Sequence, residues 1–94
     1  MHPIEKLLAM NKQSTITQAF ANVISRLRKA KGISQEQFAW DCSSTQKYIS
    51  DIELGKRNVS LLFAKKCAEA LDLPLRSLFV LIDLEMEELK HNQP

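Results

Sequence analysis

Five hydrogen-bonding residues lie close together in the middle of this 94-residue chain. They are Thr45, Gln46, Lys47, Ser50 and Asp51. A helical repeat of 3.6 residues places this group on one side of a helix, with Ile49 and Ile52 on the other. Gln can form two hydrogen bonds with adenine, and Lys can donate to guanine O6 and N7. The pattern indicates a surface that reads the edges of base pairs.

Other kinds of chemistry lack the residues that they would need. The sequence shows no Ser-His-Asp or Cys-His set, no phosphate-binding loop and no carboxylate pair in a predicted pocket, so we expect no enzyme. Cys42 and Cys67 are far apart and fall at predicted core positions, while His2 and His91 have no Cys nearby. We therefore expect buried thiols, no metal and no cofactor. Without a signal peptide or membrane span, we expect a cytoplasmic protein.

Charge is distributed unevenly, although the net charge is only +2. From residue 26 to 66 there are nine Lys and Arg against four Asp and Glu, and from residue 67 to 94 two against six. A basic middle favours a polyanionic partner, with the acidic end held away from it. A chance difference between solvated helix faces is the alternative explanation.

Apolar spacing and capping residues predict an all-α chain, and two Gly and three Pro argue against a turn-rich β fold. The predicted helices span residues 16–30, 35–41, 45–54, 61–71 and 75–90, after a short N-terminal helix that ends near residue 11. Ser34 and Ser60 are predicted N-caps, and Gly32 and Gly55 are predicted helix ends. At 45% hydrophobic residues, the chain can bury one modest core.

Residues 35–54 have the pattern of two short helices joined by a tight turn, which is a helix-turn-helix. Ala39 is the small residue that lets these helices cross closely. The apolar residues that would support them from beneath are Phe38, Cys42, Ile49 and Ile52. We expect three segments: an N-terminal helix or arm (1–15), the helix-turn-helix domain (16–80) and a C-terminal helix extension with a dimer contact (81–94).

The segments 26–39 and 48–58 resemble the lambda-repressor and Cro type of helix-turn-helix, also called the xenobiotic-response-element (XRE) family. The likeness covers about residues 23–79 and implies a compact five-helix, lambda-repressor-like domain that binds double-stranded DNA and regulates transcription, for example as a repressor. The run from Tyr48 to Asn58 is similar to the Tyr-Ile-Ser-x-Ile-Glu-x-x-x-Arg-Asn run of restriction–modification controller proteins. Ser43 and Ser44 stand where the family usually has Gly and then Val or Leu.

The resemblance implies a role for each residue near the second short helix. Base contacts are expected from Gln46, Lys47, Ser50 and Arg57. Contacts with the DNA backbone are expected from Gln35, Thr45, Tyr48, Lys56 and Asn58. The alternatives are that Tyr48 packs on the helix predicted at residues 61–71 and that Ser50 contacts a phosphate. For the remaining predicted contacts, the alternative is a side chain that is merely solvated.

Three further residues are assigned to structure. In the family, an Arg at the position of Arg28 pairs with a Glu at the position of Glu53, and the pair fastens two helices together. Trp40 stands at a place that is usually polar. It could mark a contact with a partner or cover the edge of the core beside the N-terminal helix, and we expect the second.

The last predicted helix has more apolar residues than a small core can cover, which indicates an interface. We expect a homodimer with Leu78, Ile82, Met86 and Leu89 in its interface, unless the N-terminal helix covers part of this surface. A two-fold dimer would place two recognition helices about 34 Å apart on a near-palindromic operator. The alternative function is an antitoxin or another protein-interaction module of the same fold. We expect no small-molecule effector.

Overall fold

The computed structural model describes residues 15–92, which form five α-helices and the segments between them. The helices are α1 (Thr15–Lys31), α2 (Gln35–Asp41), α3 (Gln46–Glu53), α4 (Leu61–Ala70) and α5 (Leu75–His91). No strand occurs within this range, and the predicted all-α fold is confirmed. The predicted N-terminal helix falls on residues 1–14 and lies outside the described residues.

Short local signals determine where three of these helices begin. Ser34, Thr45 and Ser60 are the N-caps of α2, α3 and α4, and each has an extended backbone. Each hydroxyl oxygen accepts a hydrogen bond from the backbone N–H three residues later, at 3.0, 3.1 and 3.0 Å respectively. These bonds satisfy N–H groups that have no partner within the helix. The predicted caps of α2 and α4 are therefore confirmed, and Thr45 caps α3.

Four of the helices end in the same backbone arrangement, with one residue of positive φ after the last turn. The φ values are 77° at Gly32, 55° at Ser43, 76° at Gly55 and 59° at Asp72. After each helix, two backbone N–H groups bond back to carbonyls of the last turn in the Schellman pattern. Glycine adopts this conformation without a steric cost, whereas Ser43 and Asp72 have a Cβ that disfavours it. Ser43 thus keeps the turn that a glycine usually makes in the family that the sequence resembles.

The core lies where α1 meets α3 and α5, while α2 packs on α3 and α4 packs on α5. Its largest members with less than 2% exposure are Phe38, Ile24, Ile49, Ile52 and Leu78. The four apolar residues that were predicted to support the helix-turn-helix are all buried, and Ala39 is only 3% exposed. The two short helices are therefore fixed to the body of the protein from one side.

The two cysteines belong to this core as free thiols, as predicted. A hydrogen bond with Cys42 and burial both raise the pKa of Cys67, which keeps its thiol protonated. Within residues 15–92 no group of His, Cys, Asp and Glu is arranged to hold a metal ion. In the same range, every helix is too short or too polar to cross a membrane.

The predicted dimer interface needs a correction at two of its four residues. Leu78 and Ile82 are 0% and 4% exposed, because α5 packs with them against the rest of the protomer. Neither side chain is therefore open to a second copy at the surface of the protomer. Met86 and Leu89 are half-buried against the same core. Helix α5 runs without a break from Leu75 to His91, so the boundary predicted at residue 80 falls inside a helix.

Candidate nucleic-acid interface

Helix α3 is anchored by its apolar side and presents its polar side to solvent. Ile49 and Ile52 are 0% and 1% exposed, whereas Gln46 and Lys47 are exposed, the Lys47 side chain by 84%. With its side chains an α-helix is about 10–12 Å across, which fits the major groove of B-DNA, itself about 12 Å wide. Of the residues predicted to contact bases, Gln46, Lys47 and Arg57 are exposed and Ser50 is half-buried.

An ion pair inside the fold fastens α3 to α1. Arg28 Nε and Nη2 donate to the two carboxylate oxygens of Glu53 at 2.7 and 3.0 Å, and the two side chains are only 10% and 7% exposed. The remaining Arg28 nitrogen, Nη1, donates to the carbonyl of Ile33 at 2.8 Å. The two-point contact fixes the angle of α3 as well as its position, because an Arg–carboxylate fork has a preferred geometry.

Gln35 joins the same network from the first turn of α2. Its side-chain amide donates to Glu53 Oε1 at 3.0 Å. Burial alone would raise the pKa of Glu53, but hydrogen bonds from Arg28, Gln35 and Ser25, together with the Arg28 charge, bring it below its ordinary value. Glu53 is therefore ionised at neutral pH. A contact between Gln35 and a phosphate stays a prediction. In the structure, the Gln35 side chain supports the C-terminal end of α3 through its hydrogen bond with Glu53.

The loop after α3 brings two more cations to the same side of the molecule. The N–H groups of Gly55 and Lys56 bond to the carbonyls of Ile52 and Asp51, both at 2.9 Å, which turns the chain sharply. Lys56 and Arg57 are exposed beyond this turn. Arg57 Nη2 lies 3.5 Å from Asp51 Oδ2, and Lys47 Nζ lies 3.6 Å from the same oxygen. Lys47 of α3 and Arg57 of the loop therefore lie on either side of one carboxylate oxygen.

Three other predicted DNA contacts have intramolecular neighbours. The ring of Tyr48 packs edge-to-face on Phe63 of α4, with centroids 5.1 Å apart and an interplanar angle of 84°. The side-chain amide oxygen of Asn58, Oδ1, accepts a hydrogen bond from the Thr17 hydroxyl of α1. Ser50 is half-buried on α3. The packing of Tyr48 on α4 is the alternative that the sequence left open, and DNA contacts by these three residues stay predictions.

Trp40 contradicts the expectation that it covers the edge of the core. Its surface is 81% exposed, and it lies beside Ser44 and Gln46 in a shallow depression between α2 and α3. The helical repeat could have shown this, because two residues correspond to about 200° around a helix. Since Phe38 faces the core, Trp40 must face away from it.

An apolar groove with a volume of about 400 Å³ lies between α1, α4 with the segment before it, and α5. Its apolar walls include Ile16, Leu61, Phe79 and Met86, and Arg57 and Asn58 lie among its polar residues. Ile16 and Leu61 are 54% and 75% exposed, and Phe79 is 41% exposed. The sequence located an apolar excess on α5 but missed the residues from α1 and α4, because only the tertiary fold brings them together.

Comparison with known proteins establishes the family. A helix-turn-helix family model matches residues 24–78, which include α2, the turn and α3. The chain belongs to the helix-turn-helix family. It is a DNA-binding transcription regulator rather than an enzyme, as the sequence predicted.

Relatives within this family are controller proteins of restriction–modification systems. Control protein C.MunI from a Mycoplasma species is 44% identical over 69 residues, which cover 72% of this chain and 90% of the relative. The crystal structure of controller protein C.AhdI from Aeromonas hydrophila is 41% identical, with a TM-score of 0.64, and the match covers 67% of this chain and 91% of the other. The controller-like resemblance predicted from residues 48–58 is confirmed.

A third relative was solved on DNA. The controller protein C.Esp1396I, described as a tetramer in complex with its natural 35-base-pair operator, is 26% identical with a TM-score of 0.73. The match covers 78% of this chain and 96% of that one. The fold of the described residues is therefore one that another protein uses to bind operator DNA.

Proposed function

We propose that the chain regulates transcription as a homodimer on a near-palindromic operator, with α3 of each protomer in the major groove. The main supporting observation is the orientation of α3, which is anchored by Ile49, Ile52 and Glu53 and exposes Gln46 and Lys47. These two side chains would contact adenine and guanine, the bases whose major-groove edges suit Gln and Lys. Ser50 and Arg57 would complete the set of base contacts.

Contacts with the DNA backbone would hold α3 at the correct depth in the groove. Lys56 is exposed next to α3, and the first turns of α2 and α3 offer backbone N–H groups near Gln35 and Thr45. Helix N-termini favour phosphate because their N–H groups and dipole both attract anions. Tyr48 on α3 and Asn58 in the loop after it are proposed as further backbone contacts. These interactions set position and affinity but do not distinguish sequences.

The homodimer would form through the apolar groove. Ile16, Leu61 and Phe79 are exposed on its walls, and an exposed apolar patch of this kind is typical of an interface. Arg57 at the groove would place the interface close to the DNA-binding loop. The relative C.Esp1396I is described as a tetramer on 35 base pairs, which is about three turns of DNA and has room for two dimers.

Selection of bound duplexes from a random DNA pool tests this proposal. The expected product is a pair of inverted half-sites with their centres about 34 Å apart, one turn of the double helix. An enriched motif without symmetry would exclude the homodimer, but it would still support sequence-specific binding. Failure to enrich any motif would contradict the proposed function as a whole.

Two lysine variants test the division between base and backbone contacts, because each removes one positive charge. Lys47→Ala should reduce affinity for the selected duplex by about tenfold or more with a smaller effect on random duplex, since one good base contact contributes about 1–3 kcal/mol of discrimination. Lys56→Ala should weaken binding to both duplexes alike and reduce the salt slope by about 1. Equal behaviour of the two variants in a binding titration would contradict the base contact of Lys47.

A further inference from the structure

Asp51 is an acidic residue on the surface that meets the DNA in the proposed function. It lies on α3, four residues after Lys47, and its side chain is only 13% exposed. The oxygen Oδ2 faces Lys47 Nζ at 3.6 Å and Arg57 Nη2 at 3.5 Å. The two cations themselves are 84% and 54% exposed. One carboxylate oxygen therefore lies between two proposed base contacts that come from different segments of the chain.

The position of Asp51 is unfavourable for affinity alone. A carboxylate next to a polyanion lowers the attraction that counterion release provides. The benefit to protein stability is also small, because ion pairs with exposed partners contribute little to folding. The effect of Asp51 must therefore be sought in what it does to the two cations.

Long Lys and Arg side chains lose much rotamer freedom when they are held in one orientation. Free in solution, they can turn to any nearby phosphate, and such contacts are the same for every DNA sequence. A shared carboxylate restricts both side chains before DNA arrives and partly neutralises their charge. Both effects weaken binding to random sequences more than binding to a site whose base edges match the fixed orientation.

We propose that Asp51 is a specificity-determining residue, which holds Lys47 and Arg57 toward the base edges and away from the phosphates. The inference rests on the proposed function and adds one residue to it. Asp51 acts through its neighbours, so it is a positioning residue rather than a base contact.

Asp51→Asn in the 94-residue chain tests the inference in a binding titration. Three DNAs are compared: the selected duplex, the same duplex altered at one guanine, and random duplex. Affinity for random duplex should rise by about five- to tenfold, and the salt slope should steepen by about 1 to 2 because two cations become available to phosphates. Discrimination against the altered duplex should fall by about tenfold. The midpoint of thermal unfolding should stay near the wild-type value, which separates positioning from a structural role.

Two further variants serve as controls. Asp41→Asn on the neighbouring helix α2 changes the net charge equally, and it should leave discrimination unchanged. Asp51→Glu keeps the negative charge and should retain most of the wild-type discrimination, which gives a second result if Asp51→Asn proves unstable. An equal effect of Asp41→Asn, or a loss in Asp51→Glu as large as in Asp51→Asn, would overturn the inference.

The pattern of lost discrimination distinguishes positioning from direct contact. Positioning predicts a loss at more than one base pair, because Lys47 and Arg57 are both released. A loss confined to one cytosine would show that Asp51 itself accepts from the base, and the positioning role would be wrong. If the wild-type chain enriches a motif and Asp51→Asn keeps full discrimination, only this inference fails. If the wild-type chain enriches no motif, the proposed function fails first.

Discussion

Ser43 shows how a single residue can depart from a family pattern while the backbone keeps its shape. Its φ of 55° places it in the left-handed region, at the turn between α2 and α3. The turn still forms because the N–H groups of Ser43 and Ser44 bond to the carbonyls of Trp40 and Ala39, at 3.1 and 2.8 Å. A side chain with a Cβ makes this conformation less favourable by about 1–2 kcal/mol. The turn at the centre of the DNA-binding unit is therefore strained.

Ser43→Gly should stabilise the protein. Relief of the strain is partly offset by the greater freedom of glycine in the unfolded chain, so the free energy of unfolding should increase by about 0.5–1 kcal/mol. For a domain of this size, the midpoint of thermal unfolding should then rise by about 4 °C. Differential scanning calorimetry measures both quantities.

Ser44→Gly is the matched control, because Ser44 is adjacent and lies outside the left-handed region. Glycine at that position increases only the entropy of the unfolded chain, so it should lower stability by about 0.5–1 kcal/mol. If both variants destabilise the protein, the strain at residue 43 is absent in solution.

At the scale of elements, a polar network joins α1 to α5 across their interface. Glu85 is 9% exposed and accepts hydrogen bonds from Asn22 Nδ2 and Arg26 Nη2, both at 2.9 Å. Asn22 is itself held by the Gln18 amide at 2.8 Å. The bond from Asn22, followed by the bond from Arg26, lowers the pKa of Glu85. The folded state therefore favours the ionised form of this carboxyl group.

The network makes the packing of α5 on α1 sensitive to acid. A folded-state pKa below the unfolded value, about 4.3 for Glu, gives stability that is fully present above that value and is lost as the pH falls through the folded pKa. We expect the free energy of unfolding of the wild type, measured by urea denaturation, to decrease as the pH is lowered beyond about 4. The decrease should be smaller for Glu85→Gln. Glu87→Gln on the exposed side of α5 is the control and should follow the wild-type curve. Identical curves for all three proteins would show that Glu85 does not contribute.

Element bounds were the part of the fold that the sequence predicted best. Helix α2 was predicted as residues 35–41 and found as Gln35–Asp41, and the other ends predicted within residues 15–92 lie within one residue of those observed. These bounds follow from local chemistry, since a Ser or Thr cap and a residue of positive φ act within one turn. Local signals were therefore sufficient to find the helix-turn-helix.

The partners of each side chain were harder to predict, because they depend on the tertiary fold. Leu78 and Ile82 were expected in a dimer interface, but α1 and α4 bury them within one protomer. The apolar groove was missed because Ile16, Leu61 and Phe79 come from three separate helices. The link from Asp51 to Arg57 was missed for a similar reason, since the turn at Gly55 brings the loop back beside α3.

At the scale of the whole molecule, the groove is expected to determine the oligomeric state. Leu61→Glu places a charge on its wall at a residue that is 75% exposed, so the fold should tolerate it. Sedimentation equilibrium should then show a monomer where the wild type shows a dimer, with operator affinity reduced by at least tenfold. Trp40→Glu changes another exposed apolar residue outside the groove and should remain a dimer. A wild-type monomer that needs a second protein for solubility would instead favour the antitoxin alternative.

Methylation protection by dimethyl sulfate on the selected duplex measures whether α3 enters the major groove of DNA. The reagent modifies guanine N7, which lies in the major groove, and adenine N3, which lies in the minor groove. With α3 in the major groove, the protein should protect guanine N7 in both half-sites, Lys47→Ala should lose part of this protection, and adenine N3 should stay reactive. Protection of adenine N3 with guanine N7 left fully reactive would show that the protein binds through the minor groove and that α3 does not enter the major groove.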